Sequence, residues 1–242
     1  MGEHDGHRER LRERFLSHGL KGFSQTQALE LLLTYAIPRK DTDDLAHALL
    51  KRFGSLDQVF CASEQELCEV PGVGKSTAAL LLLLPQLIKK SEIERTVSVK
   101  QILKTQDAVD VLEPYFLFER DEIAVALMLD IQHHLISCQE LSRGVVNAVD
   151  VNVRRVVENA LRQRASYVIL AHNHPSGNLR PSVEDDSLTS SLYHALQTVG
   201  LNLEDHLILT TTGHFSYKDS GTLSLIRFQN PTRPNSGYYG RR

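Results

Sequence analysis

A small helical bundle followed by a mixed α/β (α+β) domain is the fold class this sequence predicts, and three observations carry it. Apolar residues recur at helical spacing through about the first 90 positions. Beyond residue 105 the period changes, and short apolar runs of the kind used by buried strands alternate with amphipathic segments. Turn formers punctuate both halves, so the chain of 242 residues divides most simply into two domains.

Taken in order, Arg8 to Phe15 is a charged amphipathic start, and Gln25 to Tyr35 carries Ala28, Leu29, Leu32 and Leu33 on one helical face. Asp43 to Arg52 repeats the pattern with Leu45, Ala48 and Leu49, and Gly54 suits a helix stop. Residues 91 to 104 have no strong period and are expected to link the domains, giving a helical domain over 1–95 and a second domain over 105–228. In the second domain Ile123 to Leu129 and Leu135 to Leu141 read as a hairpin, and Val145 to Val151 as a third strand. A helix over Asn152 to Arg164, a strand over Tyr167 to Ala171, a helix over Ser182 to Val199 and a strand over Leu203 to Thr210 complete a sheet with flanking helices. The tail, Gln229 to Arg242, has turn formers but nothing to pack and is expected to be mobile.

Composition narrows the function classes. With 41% hydrophobic and 24% charged residues the chain reads as an ordinary soluble protein. The longest apolar run, Ala78 to Leu84, is far short of the roughly 18 residues a membrane span needs. The opening segment lacks the apolar core of a signal peptide, so a cytoplasmic location is expected, away from membranes. Three cysteines, Cys61, Cys68 and Cys138, form no Cys-x-x-Cys pair and argue against a disulfide framework. A net charge of −3 gives no general attraction to nucleic acid, so any DNA contact must be local.

The chemically informative segment is AHNHPSGNLRPSVED, residues 171–185. His172 and His174 end an apolar strand, and a spacing of two puts both imidazoles on one face. Pro175, Gly177 and Pro181 demand a loop, and Ser182 opens a helix whose first turn holds Asp185. Ser182 and Asp185 also spell a capping box, a structural role compatible with a metal-binding one. Two histidines and a carboxylate leave one tetrahedral position open for water, as in catalytic zinc sites.

His-x-His, seven residues, then Ser-x-x-Asp resembles the signature of the JAB/MPN (JAMM) metalloprotease fold, and HNHPSG resembles its bacterial RadC branch. The resemblance implies a JAB/MPN domain, cytidine-deaminase-like in architecture, holding Zn2+ through His172, His174 and Asp185, with Ser182 helping to hold the water or the oxyanion. It also implies a glutamate general base on an early strand. Here the pattern puts Gln139 at the usual position and Glu140 one residue later, and one residue separates the two faces of a strand. A β-bulge that restores the register would make Glu140 the base. His133, His134 and His194 are expected to be solvated or packed, and His206 to make a strand-end hydrogen bond rather than to support the metal.

In the helical half, VPGVGK, residues 70–75, resembles the turn of a helix-hairpin-helix, whose backbone amides at a helix N-terminus can take a DNA phosphate. Gly72, Gly74 and Lys75 are the candidate DNA contacts. A Walker A reading of GVGKST fails because its first glycine would fall on Glu69. Residues 1–95 hold 13 Lys and Arg against 14 Asp and Glu, no basic footprint, which favours a structural or protein-docking role for the hairpin over DNA contact.

The resulting expectation is a zinc-dependent hydrolase of peptide or isopeptide bonds acting on a protein or peptide substrate. A DNA-associated repair or recombination factor and a catalytically silent metal-binding scaffold are the alternatives.

Overall fold

The computed structural model describes residues 3–38, 40–96, 101–144 and 151–229. The chain divides into two compact units between Ser91 and Glu92. In the first unit, helices α1 (Glu3–His18), α2 (Gln25–Ala36), α3 (Asp43–Phe53), α4 (Leu56–Phe60), α5 (Glu64–Cys68) and most of α6 (Lys75–Thr96) follow one another. Serine N-caps start three of them: Ser24 and Ser63 form complete capping boxes with Gln27 and Glu66, and Ser55 accepts from the Gln58 N–H. Gly54 ends α3 at φ 89°, a conformation that glycine adopts without strain. Leu29, Leu33, Leu49, Val59, Leu67, Ala78 and Leu81 are fully buried in one cluster. Helix α6 runs through Pro85 and on to Thr96, so it occupies the first part of the segment expected to be a linker.

The second unit is built on a five-stranded mixed sheet in the order β2-β1-β3-β4-β5. The strands are β1 (Ile123–Leu129), β2 (Leu135–Arg143), β3 (Tyr167–Asn173), β4 (Asn202–Thr210) and β5 (Gly213–Ser216). Strand β1 runs antiparallel to both β2 and β3, whereas β3 and β4 are parallel and therefore need a crossover, supplied by α9 (Val183–Thr198). All seven residues of β1 are buried, as its unbroken apolar run IAVALML requires of a strand covered on both faces. One face packs Ala124, Ala126, Met128, Val168 and Leu170 against α8 (Val153–Arg162) and α9. The other packs Val125, Leu127, Ile169 and Leu207 against α7 (Thr105–Phe116).

The hairpin, α8, β3, α9 and β4 fall close to their expected bounds. Helix α7, strand β5 and α10 (Thr222–Gln229) were not expected from the pattern. The signal for α7 is Asp107, whose Oδ2 accepts the Leu103 and Lys104 N–H groups at 2.9 and 3.0 Å and fixes the helix start. Val151 lies outside any strand; the rest of the expected third strand, residues 145–150, and most of the tail lie outside the described residues. Among the described residues no helix is long and apolar enough to cross a membrane.

Candidate metal centre

Strand β3 delivers His172 and His174 on the same face, and the ladder continues past its end because the His174 N–H donates to the Leu209 carbonyl at 2.9 Å. The two Nε2 atoms are 2.9 Å apart. Ser182 then caps α9: its hydroxyl accepts the Asp185 N–H at 3.1 Å and donates to Asp185 Oδ2 at 2.7 Å, while its own N–H donates to Oδ2 at 2.8 Å. The cap turns the carboxylate back to the strand, with Oδ1 3.1 Å from His172 Nε2 and Oδ2 3.5 Å from His174 Nε2. Two ligands roughly 2.0–2.1 Å from a tetrahedral zinc lie about 3.3 Å from one another. The three observed separations bracket that value.

The protonation pattern also fits a cation. His174 Nδ1 faces the Asn178 carbonyl at 2.7 Å and must donate to it, so neutral His174 has its lone pair on Nε2, aimed at His172 and Asp185. The hydrogen bond to Asp185 raises the His174 pKa; burial opposes this, and the Asn178 carbonyl and the charges of Asp185 and Glu122 add to it. Burial pushes the Asp185 carboxyl up, yet hydrogen bonds from His172 and His174, made when their Nε2 atoms carry protons, outweigh that and hold it well below the usual range; a cation between the same atoms takes the place of those protons. Asp185, 1% exposed, is thus a buried anion that needs a positive partner. Among the described residues this trio is the group whose ligand atoms all lie within 4.8 Å.

His206 is not at a strand end. It sits inside β4 with its Nε2 2.9 Å from His172 Nδ1, so the expectation of a strand-end hydrogen bond is corrected. The neighbouring Asp205 turns the other way, to Ser216 and the backbone of Lys218. Ser182, expected to hold water or an oxyanion, here directs its hydroxyl hydrogen to Asp185 and positions that ligand.

The strand register decides the question of the base. Ala124, Ala126 and Met128 face the α8–α9 side, the side of His172. Gln139 stands opposite Ala126 and accepts from Asn159 of α8 at 3.0 Å, whereas Glu140 stands opposite Val125 and faces the α7 side. The foreseen bulge exists, but its extra residue is Leu141, after Glu140, since Ala124 pairs with Ser142 and Val125 with Glu140. Glu140 is therefore on the wrong face, held in a two-pronged ion pair with Arg143 at 2.9 and 2.8 Å. The assignment of Glu140 as base is corrected.

The carboxylate on the right face is Glu122, which the sequence reading missed. Glu122 immediately precedes β1: Ala124 pairs with His172, the alternation carried back two residues puts Glu122 toward the His172 side, and its charge helps to raise the His174 pKa. Its backbone is clamped by Asn173, the residue between the histidines. The Asn173 side-chain oxygen accepts the Ile123 N–H at 2.7 Å, and its amide donates to the Asp121 carbonyl at 3.0 Å, one bond on each side of Glu122. The available signal was parity: Glu122 is an acid two places before Ala124, at the mouth of an otherwise apolar strand.

Comparison with known proteins now adds to this geometry. Residues 102–222 match the RadC-like JAB domain, and residues 5–79 match the UPF0758 N-terminal domain. A UPF0758 protein of Fusobacterium nucleatum subsp. nucleatum is 38% identical over 92% of this chain and 100% of its own length. Others from Ruegeria pomeroyi and Rhodobacter capsulatus are each 36% identical, over 90% and 88% of this chain and 97% and 100% of theirs. This chain belongs to the RadC (UPF0758) family. The RadC-like JAB domain with its buried His172, His174 and Asp185 is compatible with a metal-dependent hydrolase.

The remaining candidates of this RadC family chain lie apart from the trio. His133 stacks on Tyr167, His134 bonds Asp130 at 3.2 Å, and His194 bonds the Ser190 carbonyl at 2.6 Å within α9. In the helical unit, Gly72 takes φ 98° in the turn between α5 and α6, Gly74 is exposed, and exposed Lys75 opens α6.

Proposed function

We propose that this chain is a zinc-dependent hydrolase of amide bonds, peptide or isopeptide, in a protein or peptide substrate. The observation that carries the reading is the convergence of two imidazole nitrogens and a buried carboxylate at the spacing of a tetrahedral metal site, with the charge of Glu122 felt at His174. His172, His174 and Asp185 would hold the ion, and Ser182 would fix Asp185 through its cap. Zinc in such a site lowers the pKa of its water to about 7 and polarises a carbonyl. With the ion bound, Glu122 would be the group to take a proton from water and return it to the leaving amine, the work of a general base and acid. Asn173 would position Glu122, because it fixes the backbone on either side. Ser182 lies exposed at the mouth, where its hydroxyl can turn toward a developing oxyanion.

The test is zinc content by mass spectrometry alongside hydrolysis of a fluorogenic peptide and of a lysine ε-amide-linked peptide. Glu122→Gln should keep one zinc per chain and lose about 10²- to 10⁴-fold in rate. Unchanged hydrolysis in this variant would remove Glu122 from the mechanism.

For the helical unit, DNA contact at Gly72, Gly74 and Lys75 rests on two observations: the exposed N-terminus of α6 carries no acid in its first turn, and nothing lies within 4 Å of a Cβ placed on Gly74. Few contacts give weak binding, with a salt slope of about −0.9 per neutralised phosphate. Duplex binding by the full chain at low salt should weaken in Lys75→Glu. Equal binding by both, or by neither, favours protein docking for this hairpin.

A further inference from the structure

His172 and Asp185 are joined behind the metal face by two buried side chains that the proposed chemistry does not use. Thr189 of α9, one turn beyond Asp185, donates its hydroxyl hydrogen to the Asp185 carbonyl at 2.5 Å. That hydrogen is its only one, so toward His206 Nδ1, 2.6 Å away, the same oxygen must accept. His206 therefore carries its proton on Nδ1, and its Nε2 is left with a lone pair. Across 2.9 Å that lone pair faces His172 Nδ1, which must donate to it. The consequence at the other side of the ring follows for the neutral imidazole: with its proton on Nδ1, His172 presents the Nε2 lone pair to His174 and Asp185, as a metal ligand must.

The direction of every bond in this chain follows from the backbone carbonyl at its end, which cannot donate. Thr189 and His206 are both 0% exposed, so no water competes; the Tyr217 hydroxyl also reaches Thr189, and its ring stacks on His206 at 4.9 Å with an interplanar angle of 9°. Tyr217 is itself fully buried and tied to α9 by a 2.8 Å hydrogen bond to Asp186.

We infer that Thr189 and His206 form a tautomer-setting relay that commits His172 to metal binding, with His206 taking the place usually filled by a carboxylate, carbonyl or water behind a ligating imidazole. These are positioning residues. The relay ties the two ligands contributed by different elements, the strand histidine and the helix aspartate, so that a correct helix start at α9 is also the condition for a correct tautomer on β3. The inference rests on the metal-centre reading above, but it makes a statement about the ion-free protein as well.

The experiment uses the full chain with zinc itself as the probe, its affinity read by competition with a chromophoric chelator. Thr189→Val, which keeps the shape and removes the hydroxyl, should weaken zinc binding by about 10- to 100-fold, and Thr189→Ser should restore it. Wild-type affinity in Thr189→Val would overturn the relay. Nitrogen-15 chemical shifts of the ion-free protein give an independent readout. His206 should be the Nδ1–H tautomer and His172 should carry a proton on Nδ1; an Nε2–H tautomer for His206 would overturn the inference even if zinc binds. Should Thr189→Val fail to fold, His206→Gln can still accept from His172 through its amide oxygen and should bind zinc more tightly than His206→Met; equal affinities would overturn the relay. A wild-type protein that takes up no zinc would instead remove the metal-centre reading, while the nitrogen shifts still report on the relay.

Discussion

Two buried aspartates, one on each face of the same sheet, are held in opposite ways. Asp185, on the α8–α9 side, is 1% exposed and faces two imidazoles, and its carboxyl stays well below the usual range. Asp205, on the α7 side, is 3% exposed and is pushed up to about 6 by burial, against hydrogen bonds from Ser216, Lys218 and His206 and with the charge of Asp219 adding to the rise. Burial is alike, so the partners make the difference. Neutral donors satisfy a carboxylate's lone pairs without repaying the loss of water around its charge, whereas groups able to carry positive charge do both. The acid on the α8–α9 face is prepared for a cation, and the acid on the α7 face is prepared to fasten the β4–β5 hairpin through Ser216 and the Lys218 N–H.

The comparison is broken most severely by removing the first of these acids. Asp185→Ala should abolish zinc uptake at equal protein concentration, because two imidazoles alone make an incomplete site and the Ser182 cap loses its N3 partner. Full zinc occupancy in this variant would mean that the metal sits elsewhere.

The second acid sharpens the comparison through pH. A carboxyl raised from its ordinary value near 4 to about 6 takes up its proton more readily in the folded than in the unfolded chain. The stability it contributes is complete below about 4 and is lost as pH rises through about 6; two units correspond to about 3 kcal/mol. Asp205→Asn keeps an oxygen for the Lys218 and His206 N–H groups, and the Ser216 hydroxyl can turn to accept from the new amide. Chemical denaturation of the metal-free protein from pH 4 to 7 should therefore give a variant whose stability relative to wild type increases across that interval. A constant difference would show that the neutral donors keep Asp205 ionised throughout, as the histidines keep Asp185.

What the sequence made legible follows the same division between local and distant. His172, His174, Ser182 and Asp185 lie within 14 consecutive residues, ordered by a strand end, a proline-bounded loop and a helix cap, all of them short-range signals. Glu122, just before β1, and His206, on β4, come from 50 and 34 residues away from His172, and only the pairing of β1 and β4 with β3 brings those segments there. The bulge was foreseeable as a kind of event, but its place was not: an extra residue before Glu140 would have turned it to the metal, and Leu141, after it, leaves it turned away. Leu141 packs into the α8–α9 core, and that burial holds the bulge where it is. Strand β5 escaped because it has only four residues and takes its partner from β4, and helix α7 because its Pro114 interrupts the helical pattern.

The smallest expected effect tests the face assignment at its edge. Glu140 is about two-fifths exposed, and its ion pair with Arg143 lies near the surface, where such pairs contribute roughly 0–1 kcal/mol. Arg143 also has Glu119 as a partner, so Glu140→Gln leaves its guanidinium paired. The variant should lose under about 0.5 kcal/mol of stability, keep its zinc and hydrolyse at the wild-type rate, in contrast to Glu122→Gln. Parity makes the contrast informative, since Glu140 lies on β2 facing the α7 side while Glu122 immediately precedes β1 with its charge acting on His174. If Glu140→Gln slowed hydrolysis about 100-fold with zinc retained, β2 would have to pair one residue out of the register described here, moving Gln139 away from Asn159 and Leu141 out of the core.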